Sequence, residues 1–276
     1  MGKVVSFINM KGGVGKTTLA VNVGYVLSKK FNKKVLLIDM DPQMNATQYT
    51  LKENQIEEIL KDPKNSIYGL LSEEYNLPSA TQASGSLNKI NPIFNVSDSF
   101  DIIPSHLKVM AINLDASPFR LRTYIEDTLK KIYDVIIIDS PPTISSYTKA
   151  SLLASDMYVV PMKTDFLSFF GLPLLESYIE RIKKEFGKEI DFIGIILTMV
   201  RPDWKIYKTV KGKLLQQQRW INKLFSAELK YKTIVARALF PEERENASQY
   251  ILELGDSELE NQIIQISEEL LRRGRL

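Results

Sequence analysis

Within nine positions, Met10-Lys11-Gly12-Gly13-Val14-Gly15-Lys16-Thr17-Thr18, the chain gathers three glycines, two lysines and two hydroxyl side chains. That mixture suits phosphate chemistry. Glycines let backbone N–H groups turn inward around phosphate oxygens without side-chain clashes, and a helix beginning there adds its positive dipole end. Lys16 is placed to reach the β- and γ-phosphates of a nucleotide, and the Thr17 hydroxyl to coordinate Mg²⁺. The common spacing G-x-x-x-x-G-K-[ST] asks for glycine at position 10, where Met10 stands, yet Gly12, Gly13 and Gly15 still supply the backbone freedom. Lys11 is the unusual residue. Serving its own site it would duplicate Lys16; reaching a neighbour's γ-phosphate, it would make association depend on the nucleotide.

A Mg²⁺ site also needs carboxylates beside the phosphate loop. Asp39 and Asp41 follow the apolar run Val35-Leu36-Leu37-Ile38, and Asp139 ends Val135-Ile136-Ile137-Ile138. Ligands of open α/β sheets bind at the carboxyl ends of strands, where all three would lie. A metal-bound water explains the charge of Asp139 better than helix capping, which Pro141 and Pro142 make awkward. The chain has no N-K-x-D guanine signature: neither Asn88-Lys89-Ile90-Asn91 nor Asn222-Lys223-Leu224-Phe225 carries the aspartate. ATP is favoured over GTP.

The elements that must position these groups are legible. Val4–Ile8, Val35–Asp39, Phe100–Pro104, Tyr133–Asp139, Met157–Pro161 and Phe192–Leu197 read as strands, and Thr17–Phe31 as the helix after the loop. These runs are almost continuously apolar, as in parallel strands covered on both faces. With helices between them they predict a doubly wound, mostly parallel sheet with helices on both faces, a P-loop NTPase built as a single domain over 1–276. Residues 52–99 fit the rhythm poorly and read as a helix and loop elaboration, with Leu77–Ser99 as loop. Ser257–Arg275 reads as an amphipathic helix, with Leu259, Ile263, Ile266 and Leu270 on the face that packs against the domain.

The 276 residues contain no cysteine, which excludes disulfides, thiolate zinc sites and cysteine-ligated clusters. No apolar run approaches a membrane span, and a cytoplasmic location is expected. The net charge is only +3, but it is unevenly spread. Arg201–Arg237 carries ten Lys/Arg against two acidic residues, net +8, whereas Ala238–Leu276 is net −5. Lys205, Lys208, Lys211, Lys213, Arg219 and Lys223 form a candidate surface for DNA phosphates, although their spacing does not put them on one helical face. Trp204 and Trp220 read as packing residues, and His106, the only histidine, as structural.

"KGGVGKTT", "VLLIDMDPQMNAT", "YDVIIIDSPPT" and "YVVPMKTDFLSFFGL" together resemble the ParA family of partition ATPases, in the deviant-Walker group that also holds MinD. Met44 stands where the family's second motif more often has glycine. The resemblance is good over about residues 3–200 and looser beyond Thr198. It implies that Lys11, Gly12, Gly13, Val14, Gly15, Lys16, Thr17 and Thr18 hold ATP, and that Lys11 contacts the nucleotide of a partner subunit across a two-fold interface. Asp41 would position the attacking water. Thr17, with Asp139 through water, would hold Mg²⁺, and Asp39 would support the same site. The implied activity is slow hydrolysis to ADP and phosphate. The implied partners are nonspecific DNA, bound by the ATP homodimer, and a centromere-binding, ParB-type adaptor that stimulates hydrolysis. No membrane partner is expected. A MinD-like positioning ATPase is the alternative and would need the C-terminal helix to bind lipid.

Overall fold

A computed structural model describes residues 1–74, 90, 92–239 and 248–276. In chain order its main elements are β1 (Lys3–Phe7), α1 (Lys16–Phe31), β2 (Val35–Asp39), α2 (Asn45–Thr50), α3 (Glu53–Lys61), α4 (Ile67–Leu71), β3 (Phe94–Ser97) and β4 (Phe100–Ile103). There follow α5 (Arg120–Asp127), β5 (Val135–Asp139), α6 (Ser146–Ala154), β6 (Met157–Lys163), α7 (Phe166–Phe186) and β7 (Asp191–Thr198). The chain continues through α8 (Lys205–Gln216), α9 (Gln218–Ile221), α10 (Thr233–Arg237) and α11 (Ser257–Gly274).

The strands form one sheet in the order β3-β4-β2-β5-β1-β6-β7. All neighbours are parallel except β3 against β4. The apolar runs feed two faces alternately. Val5, Phe7, Leu37, Val135 and Ile137 face α1 and α11, while Val4, Leu36, Ile38, Ile136 and Ile138 face the opposite layer, which includes α5 and α6. Burial on both faces is why these strands lack a polar alternation.

Two readings need correction or completion. Phe94–Ser97, expected as loop, is the antiparallel edge strand β3. It is short and partly exposed, with a register shift between Asn95 and Ser97, so its sequence carries no apolar run to announce it. Of the rest of the expected loop, positions 77–89 and 91 lie outside the described residues. In α11 the stripe Leu259, Ile263, Ile266 and Leu270 is completely buried, much of it against α1. Packing has consumed the face that a lipid-binding helix would need. Among the described residues no helix is long and apolar enough to cross a membrane.

Candidate nucleotide site

The phosphate loop leaves β1 at its carboxyl end, between β5 and β6. Asn9 pins it there: its side-chain amide donates to the Pro161 carbonyl of β6 at 2.7 Å, and its Oδ1 accepts from the Lys11 N–H at 2.9 Å. Gly13 and Gly15 have φ of 66° and 79°, a backbone region that residues bearing a Cβ adopt only with strain. Gly15 is the N-cap of α1. From β7 the Thr198 hydroxyl donates to the Val14 carbonyl at 2.6 Å, tying the outer side of the loop to the sheet.

Lys16 is 7% exposed and its Nζ lies 3.3 Å from the Lys11 carbonyl, inside the loop. Burial lowers its pKa, with Asp139 and Asp41 opposing that shift. Strand register explains the acidic side of the site. Asp39 and Asp139 are directly paired across β2 and β5, and Asp139 is level with Phe7, the last residue of β1.

The carboxylates nevertheless differ in what they have left to offer. Asp39 is spent internally: Oδ2 accepts from the Thr47 N–H and hydroxyl at 2.9 and 2.7 Å, and Oδ1 from the Asp41 N–H at 3.0 Å. Burial, reinforced by Asp139, raises its pKa to about 8. Asp139 is 1% exposed, and both its oxygens are buried without a hydrogen-bond partner among the described residues. Burial raises its pKa to about 7, opposed by the Thr17 hydroxyl, which lies nearby without completing a hydrogen bond, and by Lys16. Two orphaned carboxylate oxygens beside a threonine hydroxyl are a fitting oxygen-donor set for a hard divalent cation. Asp41, at 6% exposure, accepts from the Gln43 N–H at 3.0 Å. Its turn leads into α2 through Met44, which sits at φ 59°. Glycine would fit that backbone freely.

Lys11 points elsewhere. Its Nζ binds Asp165 Oδ2 at 2.6 Å, in a half-buried pair with 34% and 23% of the side chains exposed. Asp165 is also the N-cap of α7, accepting from the Ser168 N–H at 2.8 Å. Burial alone would raise the Asp165 pKa, but Lys11 and Ser168 together bring it below the ordinary value. Sequence alone does not mark Thr47, Asp165 or Thr198 as part of the site. For Asp165 a signal existed, because it stands just beyond the carboxyl end of β6.

The basic segment divides. Lys205, Lys208, Lys213 and Arg219 are exposed, whereas Lys211 is half-buried and paired with Glu228 at 2.8 Å. Arg219 lies over the Trp220 ring and 3.4 Å from Glu176. Lys223 donates to the Phe192 carbonyl at 2.6 Å, at the amino-terminal end of β7. Trp220 is fully buried, as expected of a packing residue. Trp204 is not: it is 52% exposed, with its ring under the Arg201 guanidinium. His106 is buried and caps a short turn through the Lys108 N–H, a structural role.

Residues 2–192 match the family described as AAA domain. The chain is 30% identical to the sporulation initiation inhibitor protein Soj of Bacillus subtilis over 86% of this chain and 85% of that one. Among solved structures, a plasmid partition protein from Borrelia burgdorferi bound to AMPPNP shares 25% identity with a TM-score of 0.76, covering 99% of this chain and 100% of that chain. The ATP complex of a McdA variant from Cyanothece has the same fold, with a TM-score of 0.78 at 21% identity over 98% of this chain and 96% of that chain.

Proposed function

Because the chain belongs to the ParA family of P-loop ATPases, we propose that it is an ATP-driven DNA partition ATPase whose nucleotide state switches both its self-association and its hold on DNA. The observation that supports this most is the convergence, at one end of the sheet, of the phosphate loop, buried Lys16, and the unpartnered carboxylate of Asp139. The N–H groups of Gly12 to Thr18 and Lys16 would bind the β- and γ-phosphates of ATP. Thr17 and Asp139 would hold Mg²⁺, which when bound neutralises phosphate charge. Asp39, whose carboxylate accepts the Asp41 N–H and both Thr47 donors, acts as a positioning residue. Asp41 orients the water that attacks the γ-phosphate.

Lys11 adds the switch. Its ammonium is bound to Asp165 rather than aimed into its own phosphate loop, and in a dimer it would exchange that carboxylate for the γ-phosphate of a second copy across a two-fold interface. Hydrolysis to ADP and phosphate, stimulated by a ParB-type adaptor bound to cargo DNA in the cytoplasm, would reset the dimer. The MinD-like alternative is disfavoured by the buried apolar face of α11.

Co-sedimentation with random-sequence DNA, with ATP and with ADP, tests the switch. Lys16→Ala is expected to lose ATP-dependent binding, and Asp41→Ala to keep it while releasing at least tenfold more slowly. Equal binding by wild type and both variants, with or without nucleotide, would contradict the proposal.

A further inference from the structure

At the end of the sheet opposite the phosphate loop, a cavity of about 650 Å³ opens between the start of β1, the start of β7, the turn after α9 and the end of α11. Among the described residues its charged lining is Lys3, Lys223, Arg272, Arg273 and Arg275, with Asp191 as the single carboxylate. These residues come from four separate parts of the chain, so no local charge run foretells the cluster.

Two of the cations build the floor. The Arg273 guanidinium donates to Glu269 at 2.7 Å and to the carbonyls of Ile193, Asn222 and Leu224 at 3.1, 3.2 and 2.7 Å. Lys223 donates to the Phe192 carbonyl. The other three are free to meet a ligand. Lys3 and Arg275 are exposed, and their side chains make no hydrogen bond or ion pair among the described residues. Arg272 is 73% exposed and, among the described residues, has only a 3.7 Å pair with Glu269, a carboxylate already engaged by Ser226 and Arg273.

We propose that this groove binds consecutive phosphates of a DNA backbone, a reading that rests on the DNA-binding function proposed above. The free cations are exposed around an open mouth and carry no rigid base-reading arrangement. That favours an extended polyanion over a compact anion, which would need buried donors, and it favours phosphate contact over sequence readout. Lys223 links the groove to the basic 201–237 segment. The position matters too: DNA held here leaves the nucleotide face free for a second copy, so DNA binding and association do not compete for one surface.

The test is anisotropy of a labelled random-sequence duplex with ATP, from low to moderate salt. It compares wild type, Lys3→Gln/Arg272→Gln/Arg275→Gln, and Lys205→Gln/Lys208→Gln on α8. The groove variant is expected to bind at least tenfold more weakly, and its log–log salt slope to fall by about 2 to 3, near 0.9 per lost phosphate contact. Arg272→Gln alone, which disturbs no packed group, should lower the slope by about 1 and covers the case in which the triple variant misfolds. Wild-type affinity and slope in both groove variants, with wild type binding DNA, would overturn the groove and leave the DNA reading standing. Absence of DNA binding by wild type would overturn both. Loss of binding to anionic phospholipid vesicles with DNA binding intact would also reject the proposal, because the groove would then be a lipid site.

Discussion

Lys11 and Lys16 sit five positions apart in one loop, and their surroundings give them opposite tasks. Lys16 is enclosed by the loop and faces two aspartates, whereas Lys11 is turned outward onto Asp165. Lys11→Ala is therefore expected to retain nucleotide binding within about threefold but to lose ATP-dependent dimerisation, which sedimentation velocity would register. Dimerisation by Lys11→Ala at the wild-type ATP concentration would remove the reason for placing it across the interface. The paired Asp39 and Asp139 give a second residue-scale expectation. Both have folded-state pKa values raised, to about 8 and about 7, so between the ordinary carboxylate range and those values the folded chain holds protons that the unfolded chain releases. Stability of the nucleotide-free protein in EDTA should then fall as pH rises from about 5, by up to about 1.4 kcal/mol per pH unit for each group, until about pH 7 for Asp139 and about pH 8 for Asp39. Asp139→Asn should remove its share of that dependence in urea melts and leave the part due to Asp39; an unchanged slope would show that Asp139 ionises freely in the fold.

Among elements, β7 shows how one backbone position admits a neighbour. Gly194 has φ 149°, and a Cβ there would lie 2.3 Å from the Lys223 carbonyl. The close approach lets the 223–225 segment pair with the strand, the Ile195 N–H donating to Lys223 and the Phe225 N–H to Ile195. Gly194→Ala should cost about 3 kcal/mol or more, since the substitution adds overpacking against backbone to an unfavourable φ. Gly171, inside α7, where a Cβ would meet none of the described residues within 4 Å, is the control. There alanine should stabilise by about 0.5–1 kcal/mol through helix propensity. Chemical denaturation of the pair separates the two cases, and similar effects would mean that the contact at Gly194 relaxes easily.

At the scale of the molecule, α11 is part of the core layer over α1. Ile263, completely buried, should cost about 2–5 kcal/mol when changed to alanine. The same change should leave association with lipid vesicles at background, because the apolar face never leaves the protein. A thermal midpoint unaffected by Ile263→Ala would instead indicate a helix that docks only loosely.

The phosphate loop, the strand-ending Asp39 and Asp139, and the doubly covered sheet were legible because each is written locally, in glycine spacing or in uninterrupted apolar runs. The edge strand β3 was not, since a short, half-exposed strand has no such run and is defined by its pairing with β4. The family resemblance implies separate roles for the three aspartates, but the packed structure is what shows Thr47 and Asp41 using up the oxygens of Asp39 while those of Asp139 have no partner among the described residues. The basic 201–237 run was readable as charge, but its partition was not. Glu228 takes Lys211, and Lys223 joins Lys3 and Arg275 across more than two hundred positions of sequence. Local chemistry follows from neighbours along the chain; which charges remain free, and which face they share, depends on contacts that form only when distant segments pack.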